Sequence, residues 1–291
     1  MDKSYAVVIP TLDAGKTIRQ LAESLLEQTV PPAEIVVVDS SSEDDTVSQV
    51  RDLPSVRVLT VARKDFDHGG TRDRALRSCT VPFVVFMTQD ALPCRKDCMK
   101  KLLEPFGDPR VAAVCGRQVA YPAASAREKA VRAFRYTGET DVWGKEDMRR
   151  RGVKAFLLSD VCAAYRVSAY EAVGGFTHPL MTNEDMLIAA DFLEAGYLLC
   201  YQGKAEVYHS HDYTLRQEYG RNRKIGEFLA KYGNRFENGS ISGEGLRMVK
   251  TVTLQLLRQG RIPEIFSFWA NCGARILGNR AGFRAGSKEK N

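Results

Sequence analysis

The 291-residue sequence lacks several features that would assign it to other protein classes. It contains no run of 18 or more apolar residues, so we expect no segment to span a membrane. Its seven cysteines show no Cys-x-x-Cys spacing, which argues against a disulfide framework and favours packing residues in a reducing cytosol. The first residues lead into an apolar segment without the hydrophobic stretch of a signal peptide. We therefore expect a cytoplasmic location.

The positive charge is concentrated near the end of the chain. Residues 1–200 carry 26 basic and 28 acidic side chains, whereas residues 201–291 carry 16 and 8, a net charge of +8. A basic tail predicts an anionic partner. Nucleic acid is not expected, because no compact module interleaves aromatic with basic residues. The tail is also rich in Leu, Ile, Phe and Trp, which favours the inner face of a membrane.

Short apolar segments alternate with helical patterns over the first half of the chain. Such alternation predicts an α/β fold with a doubly wound, mostly parallel sheet. The predicted strands and helices of this half are strands 5–10, 35–39, 56–61 and 83–87, and helices 16–28 and 71–79.

The second half is less regular. We predict strands at 111–116, 155–158, 198–201 and 206–208, a helix at 184–194, and an irregular excursion on the substrate side at 124–151. From residue 215 onward the pattern is helical. These patterns predict an α/β domain over residues 1–215 and a basic, apolar-rich helical extension over residues 216–291.

Carboxylates follow two of the predicted strands. Asp39 can accept the ring N–H of a pyrimidine base or cap the following turn, and the sequence favours neither role. Asp90, which follows a buried strand, and His209, which ends a later one, are suitable ligands for Mg²⁺ or Mn²⁺, although either could be purely structural. Asp185 follows Glu184 at a helix start, where the helix dipole stabilises an anion, and it could act as a base.

A glycine pair precedes the second predicted helix. Gly69 and Gly70 would let the backbone approach a ligand, and Arg72 in the first turn could reach a diphosphate. A plain glycine turn with a surface arginine is the alternative. His68 could contact a sugar or cap the turn. Earlier in the chain, Thr11 at the end of the first strand could contact a base or ribose.

These residues, in this order, resemble the inverting family 2 glycosyltransferases of the GT-A fold, over about residues 5–210. The matching segments include Val8-Ile9-Pro10-Thr11, Val37-Val38-Asp39-Ser40, Gly174-Gly175-Phe176 and Val207-Tyr208-His209. More narrowly, residues 66–72, 115–118, 183–186 and 209–213 resemble the bacterial rhamnosyltransferase branch. This resemblance implies a Rossmann-like sheet, dTDP-L-rhamnose as the donor, and a glycan or polyprenyl-diphosphate-linked acceptor for a surface polysaccharide.

The resemblance also implies roles for individual residues. Asp185 would be the catalytic base, and Asp90 and His209 would bind a divalent cation, Mg²⁺ or Mn²⁺. Arg117, Asp160 and Glu184 would lie on the acceptor or sugar side. Thr88-Gln89-Asp90 stands where the family has Asp-x-Asp, so one carboxylate is missing and fewer protein ligands are expected. The donor would contact Pro10, Thr11, Asp13, Asp39, His68, Gly69, Gly70, Arg72, Gln89 and Asp90.

The mechanism implied by the resemblance is direct displacement with inversion at the anomeric carbon. Two alternatives remain open. A nucleotidyltransferase would need a glycine-rich basic loop after the first strand, of which Asp13-Ala14-Gly15-Lys16 is a poor version. A non-catalytic protein that binds glycans or nucleotide sugars would explain the missing carboxylate. For the C-terminal helices, one interpretation is peripheral membrane contact or acceptor docking, and the other is a helical lid or a homodimer interface.

Overall fold

The computed structural model describes residues 4–180, 182–236 and 243–288. The chain divides into two compact units. We call the first the sheet unit; it comprises residues 1–118, 138–147 and 156–209. We call the second the helical unit; it comprises residues 119–137, 148–155 and 210–291, so it takes in two segments from the middle of the chain as well as its C-terminal part.

One sheet of nine strands organises the sheet unit within the described residues. Its spatial order is β3-β2-β1-β4-β8-β6-β9-β5, and β7 pairs with β9. The strands are Tyr5–Thr11 (β1), Glu34–Asp39 (β2), Val56–Thr60 (β3), Phe83–Met87 (β4), Leu92–Pro93 (β5), Val111–Val119 (β6), Asp141–Trp143 (β7), Cys162–Arg166 (β8) and Leu198–Tyr208 (β9).

The first four long strands form the parallel part of this sheet. β1 runs parallel to β2 and β4, and β2 runs parallel to β3. β1, β2 and β4 are nearly continuous runs of buried apolar residues, as expected for strands covered on both faces. β8 runs antiparallel to both β4 and β6. Because β1, β2 and β4 are parallel, the loops that follow them leave from the same edge of the sheet.

Ten α-helices lie within the described residues. They are Ile18–Leu26 (α1), His68–Arg77 (α2), Cys98–Leu103 (α3), Ala126–Arg135 (α4), Met148–Arg151 (α5), Val167–Ala172 (α6), Glu184–Glu194 (α7), Leu215–Tyr232 (α8), Glu244–Arg258 (α9) and Ile262–Lys288 (α10). The predicted bounds of α7 and β4 are confirmed. None of the described helices has the length and apolar character required to cross a bilayer.

Three sequence predictions for the second half are wrong. The strand predicted at 155–158 is not formed: residues 152–156 make a 3₁₀ helix, and the strand of this stretch is β8. A short apolar run has no periodicity that distinguishes a strand from a helical turn. The excursion at 124–151 contains α4, whose N-cap Ser125 accepts a hydrogen bond from the Glu128 amide. The two strands predicted at 198–208 are the single strand β9.

The helical unit is held together by close helix contacts and a small apolar core. Gly226 on α8 and Gly278 and Gly282 on α10 let these helices approach so closely that a Cβ at any of them would clash with backbone of the other helix. A separate cluster joins α4, α9 and α10 through buried residues including Val131, Val252, Leu256, Ile265 and Phe268. The last three belong to the core and are not part of an exposed apolar side.

Candidate active site

Asp39 lies at the carboxyl edge of the parallel sheet, beside Thr11. The two residues are directly opposite each other in the β1–β2 register, and the Thr11 hydroxyl donates to Asp39 Oδ1 over 3.3 Å. The Ser42 amide donates to Oδ2 over 3.0 Å, and the Ser42 hydroxyl donates to Oδ1 over 2.5 Å. Asp39 therefore caps the turn after β2, and its carboxylate is buried at the edge where open α/β sheets bind ligands.

Two side chains connect the loops at this edge. Gln89, after β4, accepts from the Leu12 amide over 2.8 Å and donates to the Leu12 carbonyl over 3.1 Å. Asp13 accepts from the Glu43 amide over 2.9 Å and pairs with Arg63 over 3.4 Å. The structure thus brings the predicted donor residues of β1, β2 and β4 together. Sequence reasoning missed the half-exposed Arg63, whose only signal was its position just after β3.

The glycine pair begins α2. The Asp67 side chain accepts from the Gly70 amide over 2.8 Å and from the Leu180 amide over 3.2 Å. A Cβ at Gly69 would clash with the Thr177 carbonyl oxygen. Glycine is therefore required at position 69 because the backbone of Thr177 lies close to it. The predicted contact of both glycines with a donor stays a prediction.

Arg72 is buried among carboxylates. Only 5% of its side chain is exposed, and its guanidinium lies 3.1 Å from Glu184 Oε1 and 3.5 Å from Asp160 Oδ2. His68 Nδ1 is 2.9 Å from Arg72 Nη1. The Tyr165 hydroxyl donates to Asp160 Oδ1 over 2.6 Å. Because Arg72 is buried, the alternative that it is a surface residue after a plain glycine turn is wrong.

This cluster changes the proton affinity of its members. Burial, followed by the charges of Glu184 and Asp160, raises the pKa of Asp185 well above its ordinary value. Burial likewise raises the pKa of Asp160 to about 7, against the opposing effect of Arg72. Burial would lower the pKa of Arg72, but the surrounding carboxylates outweigh it and raise that pKa. A partly buried carboxylate with a raised pKa, at the start of α7, has the properties of a general base.

The structure brings Asp90 and His209 close together, and their predicted role as metal ligands stays a prediction. His209 Nε2 lies 3.6 Å from Asp90 Oδ2, although 119 positions separate the two in the chain. His209 Nδ1 is 2.9 Å from Gln118 Oε1, and the Gln118 amide nitrogen donates to Ser159 Oγ over 2.9 Å. This contact lets the Gln118 oxygen accept a hydrogen bond from Nδ1, which leaves Nε2, the ring nitrogen that faces Asp90, as the one available to a ligand.

This donor set fits a divalent cation. It combines a carboxylate oxygen with an imidazole nitrogen whose tautomer is held by a second residue, the arrangement found around metal-binding histidines. Thr88, at the position of the missing carboxylate, has a buried hydroxyl with no hydrogen-bond partner in the described part of the chain. Sequence reasoning quoted Gln118 in a motif but gave it no role; a glutamine in a buried apolar strand was the available signal.

Arg117 lies next to Gln118 on β6 and forms an ion pair with Glu206 of β9. The two groups are 2.7 Å apart, and both side chains are partly exposed. This pair fixes the direction of the Arg117 guanidinium, and the predicted contact of Arg117 with an acceptor or sugar stays a prediction.

Comparisons with known proteins identify relatives of this chain. Glycosyl transferase family 2 matches residues 6–174. The O-antigen chain rhamnosyltransferase RfbN of Salmonella typhimurium is 37% identical over 254 residues, which cover 87% of this chain and 81% of RfbN. The O-antigen chain rhamnosyltransferase WbaN of Salmonella anatum is 38% identical over 259 residues, covering 88% and 82%.

Solved structures share the fold. The mannosyltransferase PcManGT from Pyrobaculum calidifontis, solved with GDP-Man and Mn²⁺, matches with a TM-score of 0.61 at 19% identity, covering 99% of this chain and 86% of PcManGT. TarS 1–349 of S. aureus, solved with UDP-GlcNAc, matches with a TM-score of 0.56 at 17% identity, covering 98% and 92%. The GT-A fold predicted from the sequence is confirmed.

Proposed function

Since the chain belongs to glycosyl transferase family 2, and is therefore a glycosyltransferase, we propose that it moves L-rhamnose from dTDP-L-rhamnose to a hydroxyl group of a growing surface polysaccharide. The observation that carries this proposal is the similarity to two O-antigen chain rhamnosyltransferases, which extends over more than four fifths of each chain. The acceptor is a glycan or a polyprenyl-diphosphate-linked glycan. Because the chain is a family 2 glycosyltransferase, we prefer this function over the nucleotidyltransferase and over the non-catalytic binding protein.

The acidic cluster performs the proton transfer. Asp185 removes the proton of the acceptor hydroxyl as that oxygen attacks the anomeric carbon from the face opposite the leaving diphosphate, so the configuration inverts. Arg72 is buried, and its charge is directed at Glu184 and Asp160. We therefore assign Arg72 to holding the cluster together and to balancing its charge, in addition to any attraction it exerts on the diphosphate. Glu184, Asp160 and Arg117 lie on the sugar or acceptor side.

The donor lies along the carboxyl edge of β1, β2 and β4. Asp39 accepts the ring N–H of the pyrimidine, with Pro10, Thr11 and Asp13 alongside. Gln89, by its two hydrogen bonds to Leu12, fixes the loop that borders this site. His68, Gly69 and Gly70 line the donor sugar side.

Asp90 and His209 would hold a divalent cation, Mg²⁺ or Mn²⁺. When bound, such a cation stabilises the negative charge of the departing nucleoside diphosphate. The carboxylate–imidazole pair and its orientation by Gln118 support this proposal, as does the Mn²⁺ bound by the mannosyltransferase of the same fold.

A donor-hydrolysis and transfer screen tests the proposed function. The purified chain, incubated with dTDP-L-rhamnose, UDP-sugars and GDP-sugars in parallel, with and without Mn²⁺, should release nucleoside diphosphate fastest from dTDP-L-rhamnose. Faster turnover of a UDP- or GDP-sugar would contradict the donor assignment and leave family membership intact.

Asp39→Ala should raise the KM for the donor by roughly tenfold or more, because a buried hydrogen bond to the base is lost, while kcat changes less. Ser42→Ala is the matched control, since it removes a hydrogen bond to Asp39 but keeps the carboxylate. Steady-state kinetics against donor concentration distinguish the two roles. An equal rise in KM for both variants would show that Asp39 acts only as the turn cap.

Asp90→Ala should abolish the stimulation of turnover by Mn²⁺. Gln118→Leu removes the group that orients His209, so it should raise the metal concentration needed for half-maximal activity by roughly 10–100-fold. Mn²⁺ titrations followed by calorimetry and by activity measure both effects. Full metal-dependent turnover of the Asp90→Ala enzyme would place the cation elsewhere.

A further inference from the structure

The last two helices of the helical unit bury one face and expose the other. The buried faces of α9 and α10 meet in the small core through Val252, Leu256, Ile265 and Phe268. On the opposite side the Trp269 indole N–H of α10 donates to the Thr253 hydroxyl of α9 over 3.0 Å. This side-chain hydrogen bond connects the exposed face of α9 to the exposed face of α10.

The outer face of these helices is apolar. Phe266, Ile276 and Leu277 on α10 are 63%, 52% and 62% exposed, and Trp269 and Phe283 are about half exposed. Positions 262, 266, 269, 276 and 283 of α10 are separated by three, four or seven residues, which places them on one side of a helix. Leu254 and Leu257 extend this apolar surface onto α9.

The charges on the same helices are basic. Lys250, Arg258, Arg261, Arg280 and Arg284 are all exposed. The described residues 243–288 contain two acidic side chains, Glu244 and Glu264, and both already have basic or amide partners within the helical unit. Glu244 forms ion pairs with Lys154 and Arg247. The Glu264 carboxylate accepts a hydrogen bond from the Arg127 amide.

We propose that the exposed face of α9 and α10, which we call the lipid face, docks on a bilayer surface that carries anionic phospholipid headgroups. The apolar side chains would enter the boundary between headgroups and acyl chains, and the basic side chains would contact lipid phosphates. This mode of binding needs no membrane-spanning helix. It goes beyond the glycosyl transfer proposed above, and it does not depend on which sugar is moved.

Charge favours a lipid surface over a second copy of the chain. A two-fold interface brings the same patch of both subunits together, so it must be complementary to itself. Two copies of the lipid face would bring basic side chains opposite each other, while the two acids of these helices in the described residues are already engaged within the same subunit. Like charges that face each other in an interface are unfavourable. An anionic leaflet supplies the missing negative charge.

Vesicle co-sedimentation with the full chain tests the proposal. The protein should pellet with vesicles of equal parts phosphatidylglycerol and phosphatidylcholine, and hardly at all with phosphatidylcholine alone. Raising the salt concentration should release it, because salt screens the attraction to lipid phosphates. A triple variant, R258Q with R280Q and R284Q, should bind the anionic vesicles roughly 100-fold more weakly, since each basic residue near such a surface contributes roughly a fivefold factor.

A matched control removes the same charge elsewhere. Arg51, Arg74 and Lys100 are exposed basic residues of the sheet unit, and changing all three to Gln should leave vesicle binding near wild type. A second triple variant, F266S with I276S and L277S, should also lose vesicle binding while donor hydrolysis continues at the wild-type rate.

Two results would overturn the proposal. Equal binding to anionic and neutral vesicles would remove the electrostatic argument. No binding to either, together with a dimer that F266S, I276S and L277S convert to monomers in sedimentation velocity, would show that the lipid face is a subunit interface. Neither result would alter the outcome of the donor screen.

Discussion

Replacing Asp185 with asparagine should lower the rate of sugar transfer by roughly 10²–10⁴-fold while donor affinity stays near wild type. Asparagine keeps the shape of the side chain but cannot accept the proton of the acceptor hydroxyl. The affinity should persist because the proposed donor contacts come from β1, β2, β4 and α2. Single-turnover kinetics, combined with dTDP-L-rhamnose binding measured by calorimetry, separate the two effects.

The pH dependence provides a second measure of the same residue. The base must be ionised to accept a proton, so transfer falls as the pH decreases through its pKa. Burial and the charges of Glu184 and Asp160 raise the pKa of Asp185. The acidic limb of the kcat/KM profile should therefore lie at a higher pH than an ordinary aspartate would give. This limb should disappear in the Asp185→Asn enzyme.

Glu184→Gln is the matched control for Asp185→Asn. Glu184 also lies at the start of α7, but its carboxylate contacts Arg72. We expect a smaller loss of rate for this variant and retention of the acidic limb. Near-normal turnover of Asp185→Asn, with a large loss in Glu184→Gln, would show that Glu184 is the base.

Replacing Arg72 with methionine should destabilise the protein by about 3–5 kcal/mol near neutral pH, because it leaves buried carboxylates without their counter-charge. Methionine retains much of the apolar volume, so the loss reports mainly on charge. Arg72 is close to fully buried and lies within 3.5 Å of both Glu184 and Asp160, so solvent screens these pairs little. Urea denaturation followed by circular dichroism measures the free energy of unfolding.

The loss of unfolding free energy caused by Arg72→Met should become smaller as the pH falls from about 8 to about 5.5. Burial already raises the pKa of Asp160 to about 7 and that of Asp185 well above its ordinary value, and loss of Arg72 removes the one charge that lowers both. A raised pKa in the folded state means that folding favours the protonated carboxyl, so the variant regains stability as the pH decreases.

Arg166→Met is the control for this pH dependence. Arg166 donates to the backbone carbonyls of Phe106, Asp108 and Val111, and it does not face a buried carboxylate cluster. Its replacement should cost stability by a similar amount at both pH values. A pH-independent loss of stability in Arg72→Met would show that the carboxylates near Arg72 do not titrate over this range, which would contradict the raised pKa values of Asp160 and Asp185.

Local patterns in the sequence were sufficient for the parallel half of the sheet and for α7. The runs Tyr5–Thr11, Glu34–Asp39 and Phe83–Met87 are almost wholly apolar, and each ends at a turn, so their type follows from composition and length. Patterns were insufficient for residues 152–166, where a 3₁₀ turn and a strand both bury short apolar runs. The fold of that stretch depends on pairing with β4, which is distant in the chain.

The C-terminal helices show the same limit. The sequence identified their basic and apolar character, but it could not distinguish Leu256, Ile265 and Phe268, which are buried, from Phe266 and Leu277, which are exposed. Which apolar residues are covered depends on where neighbouring helices pack, and α4 comes from a segment more than 100 residues earlier.

The sequence by itself determined the α/β class, the family to which the motifs belong, and the residue types available for chemistry, including Asp39, Asp90, Asp185 and His209. These features depend on neighbouring residues or on ordered motifs, which a linear pattern records. Only the tertiary structure decided that Arg72 is enclosed by Asp160 and Glu184, and that Gln118 orients His209. Those contacts join segments far apart in the chain, and their distances and burial set the charge balance and proton affinities that no local pattern contains.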